Sequence, residues 1–118
     1  MDQRPDISIL SGHNLVGITF IHNYVQILLE GDHESPFING YVWPVVKRGE
    51  EIFTVDKSGY RDSLCAQIGK KIVHAVVDNE GIELIFLDGS EISFSLKEEN
   101  KLGPEAVILH VGGTSYVW

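Results

Sequence analysis

The stretch 84–94, LIFLDGSEISF, has the residue types and spacing that come nearest to a metal-binding loop in this chain. Asp88, Ser90 and Glu91 could offer oxygen ligands around Gly89. A calcium loop needs oxygen ligands at every second position and a Glu further along, and this stretch lacks that series. Asp-Gly between two alternating apolar runs is instead a strong hairpin signal, because Gly accepts a positive φ and Asp tolerates one. The sequence therefore predicts a plain turn.

The histidines do not form a metal-ligand pattern. A metal site favours His-x-His, or two His four apart on a helix, with a carboxylate nearby. None of the five stands at such a spacing: His13, His22, His33, His74 and His110. His22 and His33 flank one predicted strand and could meet Glu34, so a metal site there stays an alternative to scattered surface histidines.

The single cysteine, Cys65, could pair with His74 as nucleophile and base. However, its position between Leu64 and Ala66 on a predicted helix favours a buried, inert thiol. No serine has the setting of a nucleophile elbow, and no glycine series opens a helix as a phosphate loop does. We therefore expect no enzyme activity, no catalytic residue, no bound metal and no cofactor.

The elements that must position any site are short strands with turn signals between them. In the stretch 91–96, Ile92, Phe94 and Leu96 alternate with polar residues, which is the period of a half-buried strand. The pattern predicts strands at 15–21, 25–30, 52–55, 72–77, 82–87, 91–96, 106–111 and 115–118, an extended segment at 37–46, and a strand or single helical turn at 7–10. The one good helix candidate is Arg61–Ile68, with Gly69 where a helix would end.

Two parts of the chain resemble each other. Gly12-His13-Asn14-Leu15-Val16 matches residues 69–73, and Leu29-Glu30-Gly31-Asp32 matches residues 87–90. The glycines in these motifs are 19 positions apart in the first copy and 20 in the second, and the extra residue fits a longer middle turn at 78–81. A single domain, 1–118, is thus predicted to contain two related units, about 7–56 and 64–118, some 57 residues apart.

The predicted fold is mostly β: an antiparallel sandwich or open barrel, built from two related meander units with one short helix near 61–68. The expected core residues are Val16, Ile18, Phe20, Ile27, Leu29, Ile72, Leu84, Phe86, Ile92, Phe94, Leu96 and Leu109.

The charge composition limits the classes of partner that this chain could bind. The net charge is −8, which argues against nucleic acid and against an anionic membrane surface as partners. It is compatible with a basic protein partner, because complementary fields accelerate encounter, although solubility alone also explains it. A single cysteine excludes an intramolecular disulfide, and no signal pattern or membrane-length apolar run is present, so a cytoplasmic location is expected.

The segment 34–44, ESPFINGYVWP, is the candidate binding site. Phe37, Tyr41 and Trp43 follow an acidic turn that carries Glu30, Asp32 and Glu34. Aromatics bordered by charge are typical of an interface hot spot, and Pro44 predicts a sheet edge or a bulge. The alternative is that Tyr41 and Trp43 only cap the core.

The pattern Ile68-Gly69-Lys70-Lys71-Ile72-Val73, the hairpin around Asp88-Gly89, Gly103-Pro104-Glu105-Ala106 and the final Tyr116-Val117-Trp118 resembles small uncharacterised bacterial β proteins. Some of these are similar to immunity proteins that accompany secreted antibacterial toxins. The resemblance covers about residues 64–118. It implies a non-catalytic protein that binds and blocks a basic toxin domain, of which nucleases are one class.

Three hypotheses follow. The first is an immunity or inhibitor protein that binds a basic toxin through the six residues of the candidate site. The second is a small-molecule or metal-binding β-barrel of the cupin kind. The third is a self-associating structural domain that forms a homodimer through 37–43 or the terminal strand.

Overall fold

A computed structural model describes residues 7–118. It contains ten strands and one α-helix, in the order β1 (Asn14–Ile21), β2 (Tyr24–Glu30), β3 (Phe37–Gly40), β4 (Val45–Arg48), β5 (Glu51–Phe53), α1 (Tyr60–Cys65), β6 (Ile72–Val77), β7 (Gly81–Phe86), β8 (Glu91–Ser95), β9 (Val107–Val111) and β10 (Thr114–Val117). Short 3-10 helices lie at Ile7–Leu10 and Glu98–Asn100, so the first apolar run is a helical turn and not a strand.

The strands form two antiparallel sheets of five. Sheet 1 has the order β1-β2-β3-β9-β10, and sheet 2 has the order β5-β4-β8-β7-β6. Alternating side chains of both sheets point into one shared core, as the period-two pattern predicts. The prediction of a mostly β, antiparallel sandwich with one short helix is confirmed.

The two related units are also confirmed, and they exchange hairpins. The meander β1-β2-β3 of the first unit lies in sheet 1, while its hairpin β4-β5 completes sheet 2. In the second unit, the meander β6-β7-β8 lies in sheet 2 and the hairpin β9-β10 completes sheet 1. Each sheet therefore contains three strands of one unit and two of the other.

Register shows how closely the units correspond. Ile18 pairs with Ile27 in the first meander, and Ala75 pairs with Leu84, both 57 positions later, in the second. Each first strand has a register shift at the same place, between Leu15 and Gly17 and between Ile72 and His74. The shift adds one residue to the strand and turns the following side chains to the other face.

This bulge corrects one predicted core residue. Val16 is the extra residue and is 46% exposed, while Leu15 before it is fully buried. The sequence prediction places Val16 on the same face as Ile18 and Phe20, because it assumes a regular strand with strict alternation. The extra residue of the bulge breaks this alternation before Gly17. Ile18, Phe20 and Leu96 pack partly buried against the core, and the other predicted core residues are buried.

The predicted place of the length difference between the units is wrong. The β1–β2 and β6–β7 turns have the same length, since Phe20 pairs with Val25 and, 57 positions later, Val77 pairs with Ile82. The difference lies in the next turn: residues 29–36 join paired positions Leu28 and Phe37, whereas only residues 86–90 join Ile85 and Glu91. The first unit thus has the longer acidic loop.

Where β1 and β6 begin, the units bind each other reciprocally. An isolated bridge pairs Asn14 with Lys71, which are corresponding positions. Four backbone hydrogen bonds surround it: Gly12 N–H to Ile72 O (2.7 Å), Gly69 N–H to Leu15 O (2.7 Å), Leu15 N–H to Lys70 O (3.0 Å) and Ile72 N–H to His13 O (2.9 Å). The four bonds form two equivalent pairs: replacing each residue by the one at the corresponding position of the other unit, 57 positions away, converts one bond of a pair into the other. This is the pattern of a symmetric two-fold interface.

The helix is shorter than predicted. It covers Tyr60–Cys65, and the following bonds run from Gln67 N–H to Leu64 O and from Ile68 N–H to Cys65 O. Bonds of this three-residue spacing tighten the last turn and turn Ile68 outward, where it is 43% exposed. Leu64, four positions before Ile68, is fully buried.

Core packing breaks the symmetry at one pair. Gly40, next to paired Ile38 in β3, corresponds to Phe94, next to Ile92 in β8. A Cβ atom on Gly40 would overlap the Phe94 ring. One position must be small because its counterpart is large.

We expect Gly40→Ala to lower the free energy of unfolding by about 1–3 kcal/mol, the usual cost of overpacking a core. Urea denaturation measures the effect. Gly103→Ala is the matched control, because no atom lies within 4 Å of its added Cβ, and it should change stability little. Equal stability of the two variants would contradict close packing at Gly40.

The Asp88-Gly89 stretch is a turn, as predicted, between β7 and β8. Gly89 has a φ of 86°, and its N–H donates to Phe86 O. The Asp88 carboxylate accepts hydrogen bonds from the Ser90 N–H (3.0 Å) and hydroxyl (2.5 Å), and from Lys70 Nζ at 2.6 Å. The hydrogen bond from Lys70, followed by those from Ser90, holds the pKa of Asp88 well below its usual range.

We expect Asp88→Asn to be less stable than the wild type at pH 7, and the difference to shrink as the pH falls below about 4. A depressed carboxyl pKa stabilises the fold above the unfolded pKa, and this stabilisation is lost on acidification. Because Asp88 is half exposed, the difference should be about 1 kcal/mol or less. Urea denaturation from pH 7 to pH 2.5 measures it; a pH-independent difference would contradict the ion pair.

Candidate functional site

The outer face of sheet 1 carries the main candidate site. Paired register places two rows of side chains across it: Gly17, Leu28, Phe37, His110 and Ser115, and beside them Thr19, Gln26, Asn39, Ile108 and Val117. The neighbouring positions Ile27, Ile38 and Leu109 point inward and are buried. The outer face of sheet 1 is defined by these two rows.

A chain of polar contacts fixes the side chains at its centre. The Phe37 and His110 rings stack with 4.4 Å between centroids and 18° between planes. Ser115 Oγ lies 2.8 Å from His110 Nδ1, and Asn39 Nδ2 lies 3.4 Å from His110 Nε2. Gln26 Nε2 donates to Asn39 Oδ1 at 3.1 Å. These contacts order the rotamers before any partner arrives, which reduces the entropy cost of binding.

Corresponding positions of sheet 2 have a different chemistry. Glu91 pairs with Lys47 in sheet 2 at the place where Phe37 pairs with His110 in sheet 1. Glu83 stands where sheet 1 has Gln26. One outer face is therefore charged as an ordinary solvated surface is, and the other is aromatic and uncharged.

The five strands of sheet 1 contain no Lys or Arg. The sequence has no Lys or Arg between positions 5 and 46, nor between 102 and 118, and these ranges contain every strand of sheet 1. Acidic residues are present there: Glu30 ends β2, and Asp32 and Glu34 follow in the loop. The strands of sheet 1 and the residues that join β2 to β3 therefore carry acids but no Lys or Arg.

The β2–β3 loop (residues 31–36) places the acidic residues next to one end of the outer face, beside Phe37. It is closed by Gly31 N–H bonding Glu34 O and Leu29 N–H bonding Pro36 O, both at 2.9 Å. Glu30, Asp32 and Glu34 are exposed. The predicted association of Phe37 with the acidic turn is thus present in the structure.

His13 lies beneath this loop. Its ring is buried, and a Cβ atom on Gly31 would come within 2.5 Å of its Nε2, so only glycine fits above it. Glu34 Oε1 is 3.5 Å from Nε2, yet neither ring nitrogen has a hydrogen-bond partner. His13 corresponds to Lys70 of the second unit, and each faces the acidic turn of its own unit.

Tyr41 and Trp43 lie at the opposite end of the face. Tyr41 comes four positions after Phe37 along extended backbone, a distance of roughly 13 Å. Tyr41 packs on Tyr24, with ring centroids 5.0 Å apart. The structure therefore divides the six predicted site residues into Glu30, Asp32, Glu34 and Phe37 at one end, and Tyr41 and Trp43 at the other.

The predicted sheet edge is wrong. β3 lies between β2 and β9, and β4 lies between β5 and β8. Pro44 lies in the short connection that crosses from one sheet to the other, so its missing N–H costs no ladder bond. Its carbonyl accepts the Tyr60 hydroxyl (2.5 Å), and burial raises the pKa of that phenol. This bond fixes the connection that carries Trp43.

Trp43 packs partly buried against the core and also lines a cleft at this end of the face. The cleft has a volume of about 480 Å³ and is lined by Tyr41, the β1–β2 turn and residues 102–105. Trp43 thus packs against the core, as the alternative interpretation expects, and also remains accessible from the cleft.

The remaining candidate groups are dispersed. Within residues 7–118, no three His, Cys, Asp or Glu side chains are grouped so that they could hold a metal ion. Cys65 is exposed, which corrects the predicted buried thiol. It lies four positions after the exposed Arg61, on the face of α1 that points away from the buried Leu64. Over the same described range, no helix has the length and apolar character needed to cross a membrane.

Sequence reasoning missed Leu28, Asn39 and His110 as parts of the face. The signal for Leu28 and Asn39 was strand alternation, which places them opposite the buried Ile27 and Ile38. His110 was assigned only to a strand, since its contact with Phe37 spans 73 positions.

Comparison with protein-family models, curated proteins and solved structures found no match for this chain.

We expect His13→Leu to raise the free energy of unfolding by about 1 kcal/mol, because a buried imidazole without hydrogen bonds is replaced by an apolar side chain. Lys70→Leu, at the corresponding position, should instead lower it, since Lys70 bonds Asp88 and Gln67. Urea denaturation of both variants measures the contrast. A marked loss of stability in His13→Leu would show that His13 has a partner.

Proposed function

We propose that this chain is a non-catalytic binding protein that neutralises a basic bacterial toxin by forming a tight complex. The observation that carries the proposal is the uncharged, aromatic outer face of sheet 1, bordered by the acidic β2–β3 loop. The toxin domain would cover Phe37 and Leu28 at the centre of this face. The resemblance to immunity proteins agrees with this assignment.

The centre of the outer face and the acidic loop differ in physical character, so we expect them to contribute to binding in different ways. Phe37 and Leu28 offer apolar area on a rigid sheet, and hot spots are enriched in ordered aromatic side chains. Asp32, Glu34 and Glu30 lie at the rim, where exposed charges mainly affect the association rate and reject partners of like charge. We therefore expect affinity to depend on the centre of the face and encounter to depend on the loop.

Self-association is the second candidate, and the uncharged centre of the same face favours it. Two copies with a net charge of −8 each repel one another, and their acidic loops would add to this repulsion. A basic partner experiences the opposite effect. Sedimentation at increasing salt separates the two, because screening favours a homodimer and weakens a complex with a basic protein.

The first experiment uses the purified chain to capture the basic proteins encoded by neighbouring genes, at low and at moderate salt. A stoichiometric complex that survives moderate salt, and that abolishes the toxicity of the captured protein, is the expected result. Failure of every such protein to bind at either salt concentration would overturn the proposal.

We expect Leu28→Ala and Phe37→Ala each to weaken this complex by about 5- to 30-fold, the range of an interface hot spot. Ile85→Ala is the matched control, because Ile85 occupies the position in sheet 2 that Leu28 occupies in sheet 1, with similar burial. Its affinity should stay within about 2-fold of wild type. Isothermal titration calorimetry measures all three, and an equal loss in Ile85→Ala would move the interface off sheet 1.

A further inference from the structure

Aromatic rings and cations are distributed unequally around Trp43. Two clefts share this residue as a wall, one of about 480 Å³ and one of about 330 Å³. In or beside the smaller cleft, the chain's own cations already cover the rings: the Arg61 guanidinium lies 5.2 Å from the Phe20 centroid, and Lys57 Nζ lies 4.5 Å from the Phe53 centroid.

The larger cleft also has an aromatic wall. Its lining includes Tyr41 and Trp43, with the half-buried Glu105 on the 102–105 segment and His22 and Asn23 on the β1–β2 turn. Within residues 7–118, neither Lys nor Arg lines it. Glu105 lines the cleft, and none of the described residues forms an ion pair with it.

We propose that this larger cleft, formed by Tyr41, Trp43 and Glu105, binds the cationic side chain of a partner, an arginine in particular. A guanidinium is planar and weakly hydrated, stacks on aromatic faces, and forms two parallel hydrogen bonds with a carboxylate. The cleft offers both features together. Its volume is within the range of about 300–1,000 Å³ that is usual for ligand pockets.

The position of the cleft agrees with this role. Tyr24 and Tyr41, whose tilted rings pack with 5.0 Å between centroids, continue the outer face of sheet 1 up to the cleft, which Tyr41 lines. A basic protein lying on this face would therefore extend an arginine into the cleft while its body contacts Phe37. The inference rests on the proposed function for the source of the arginine, but the chemistry of the cleft can be tested without any partner.

The probe is N-acetyl-arginine amide, and its neutral isostere N-acetyl-citrulline amide is the matched ligand control. The chain has two tryptophans, whose indole N–H signals are separated by NMR and assigned with Trp43→Phe. We expect a saturable shift of the Trp43 signal with the arginine compound and no saturable shift with citrulline. The Trp118 signal serves as an internal reference.

Two variants test the named groups. Glu105→Gln should weaken binding of the arginine probe, with Glu83→Gln on sheet 2 as a control that keeps wild-type affinity. Trp43→Phe lacks the indole signal, so its binding is followed by the backbone amide signals of Asn23 and Gly103, which also line the cleft. It should weaken binding by about 2- to 5-fold, the range for an exposed cation–π contact, because indole is the strongest of the aromatic partners. The dispersion of the amide spectrum shows that each variant is folded.

Each outcome decides the proposal. Equal binding of arginine and citrulline, or unchanged binding by Glu105→Gln, would show that the cleft does not select a cation. Absence of a saturable Trp43 shift with either probe would overturn it as well. If the cleft does not bind the arginine probe but the toxin complex forms, the cleft proposal is wrong and the proposed function is retained. If the cleft binds the probe but no basic protein is captured, the cleft proposal is retained and the proposed function is wrong.

Discussion

Neither unit can complete a sheet from its own strands, and the rest of the structure depends on this constraint. The meander β1-β2-β3 of the first unit forms only three of the five strands of sheet 1. The hairpin β4-β5 of the same unit belongs to sheet 2. The hairpin β9-β10 arrives from the second unit in its place. Because each unit supplies the missing strands of the other, the sandwich forms only when both units fold together.

The reciprocal backbone bonds at the start of β1 and β6 make this exchange possible. They join Gly12 to Ile72 and Gly69 to Leu15 at 2.7 Å each, and so hold one corner of the two sheets together. The bulges lie immediately after this corner, at Val16 and Val73. A bulge increases the local twist of a strand, which lets each meander leave the shared corner and cover the core.

Sequence reasoning found the parts of this fold that depend on local chemistry. The alternation of Ile92 and Phe94 and the Asp88-Gly89 turn each specify their own conformation, and both are present in the structure. It did not find the position of Pro44, because a residue that ends a strand at a sheet edge and one that crosses between sheets have the same local pattern. The exchange of hairpins depends on pairing between distant strands, which leaves no mark on either strand alone.

The same limit applies to the candidate site. Phe37 was identified because it is aromatic and close in sequence to Glu34, whereas His110, its stacking partner, comes from the other unit. Tyr41 was grouped with the acidic turn by proximity along the chain. A strand is extended, however, so a few residues were enough to carry Tyr41 to the opposite end of the sheet.

Symmetry also separates what folding requires from what it leaves free. Gly40 and Phe94 differ between the units because the two side chains compete for one space in the core, and packing explains their difference completely. Phe37 and Glu91 also correspond, but both point outward, and either residue type fits a strand at that place. No packing constraint accounts for an aromatic residue on one face and a charged one on the other. The outward difference is therefore the part of the sequence that points to function, and it points to sheet 1.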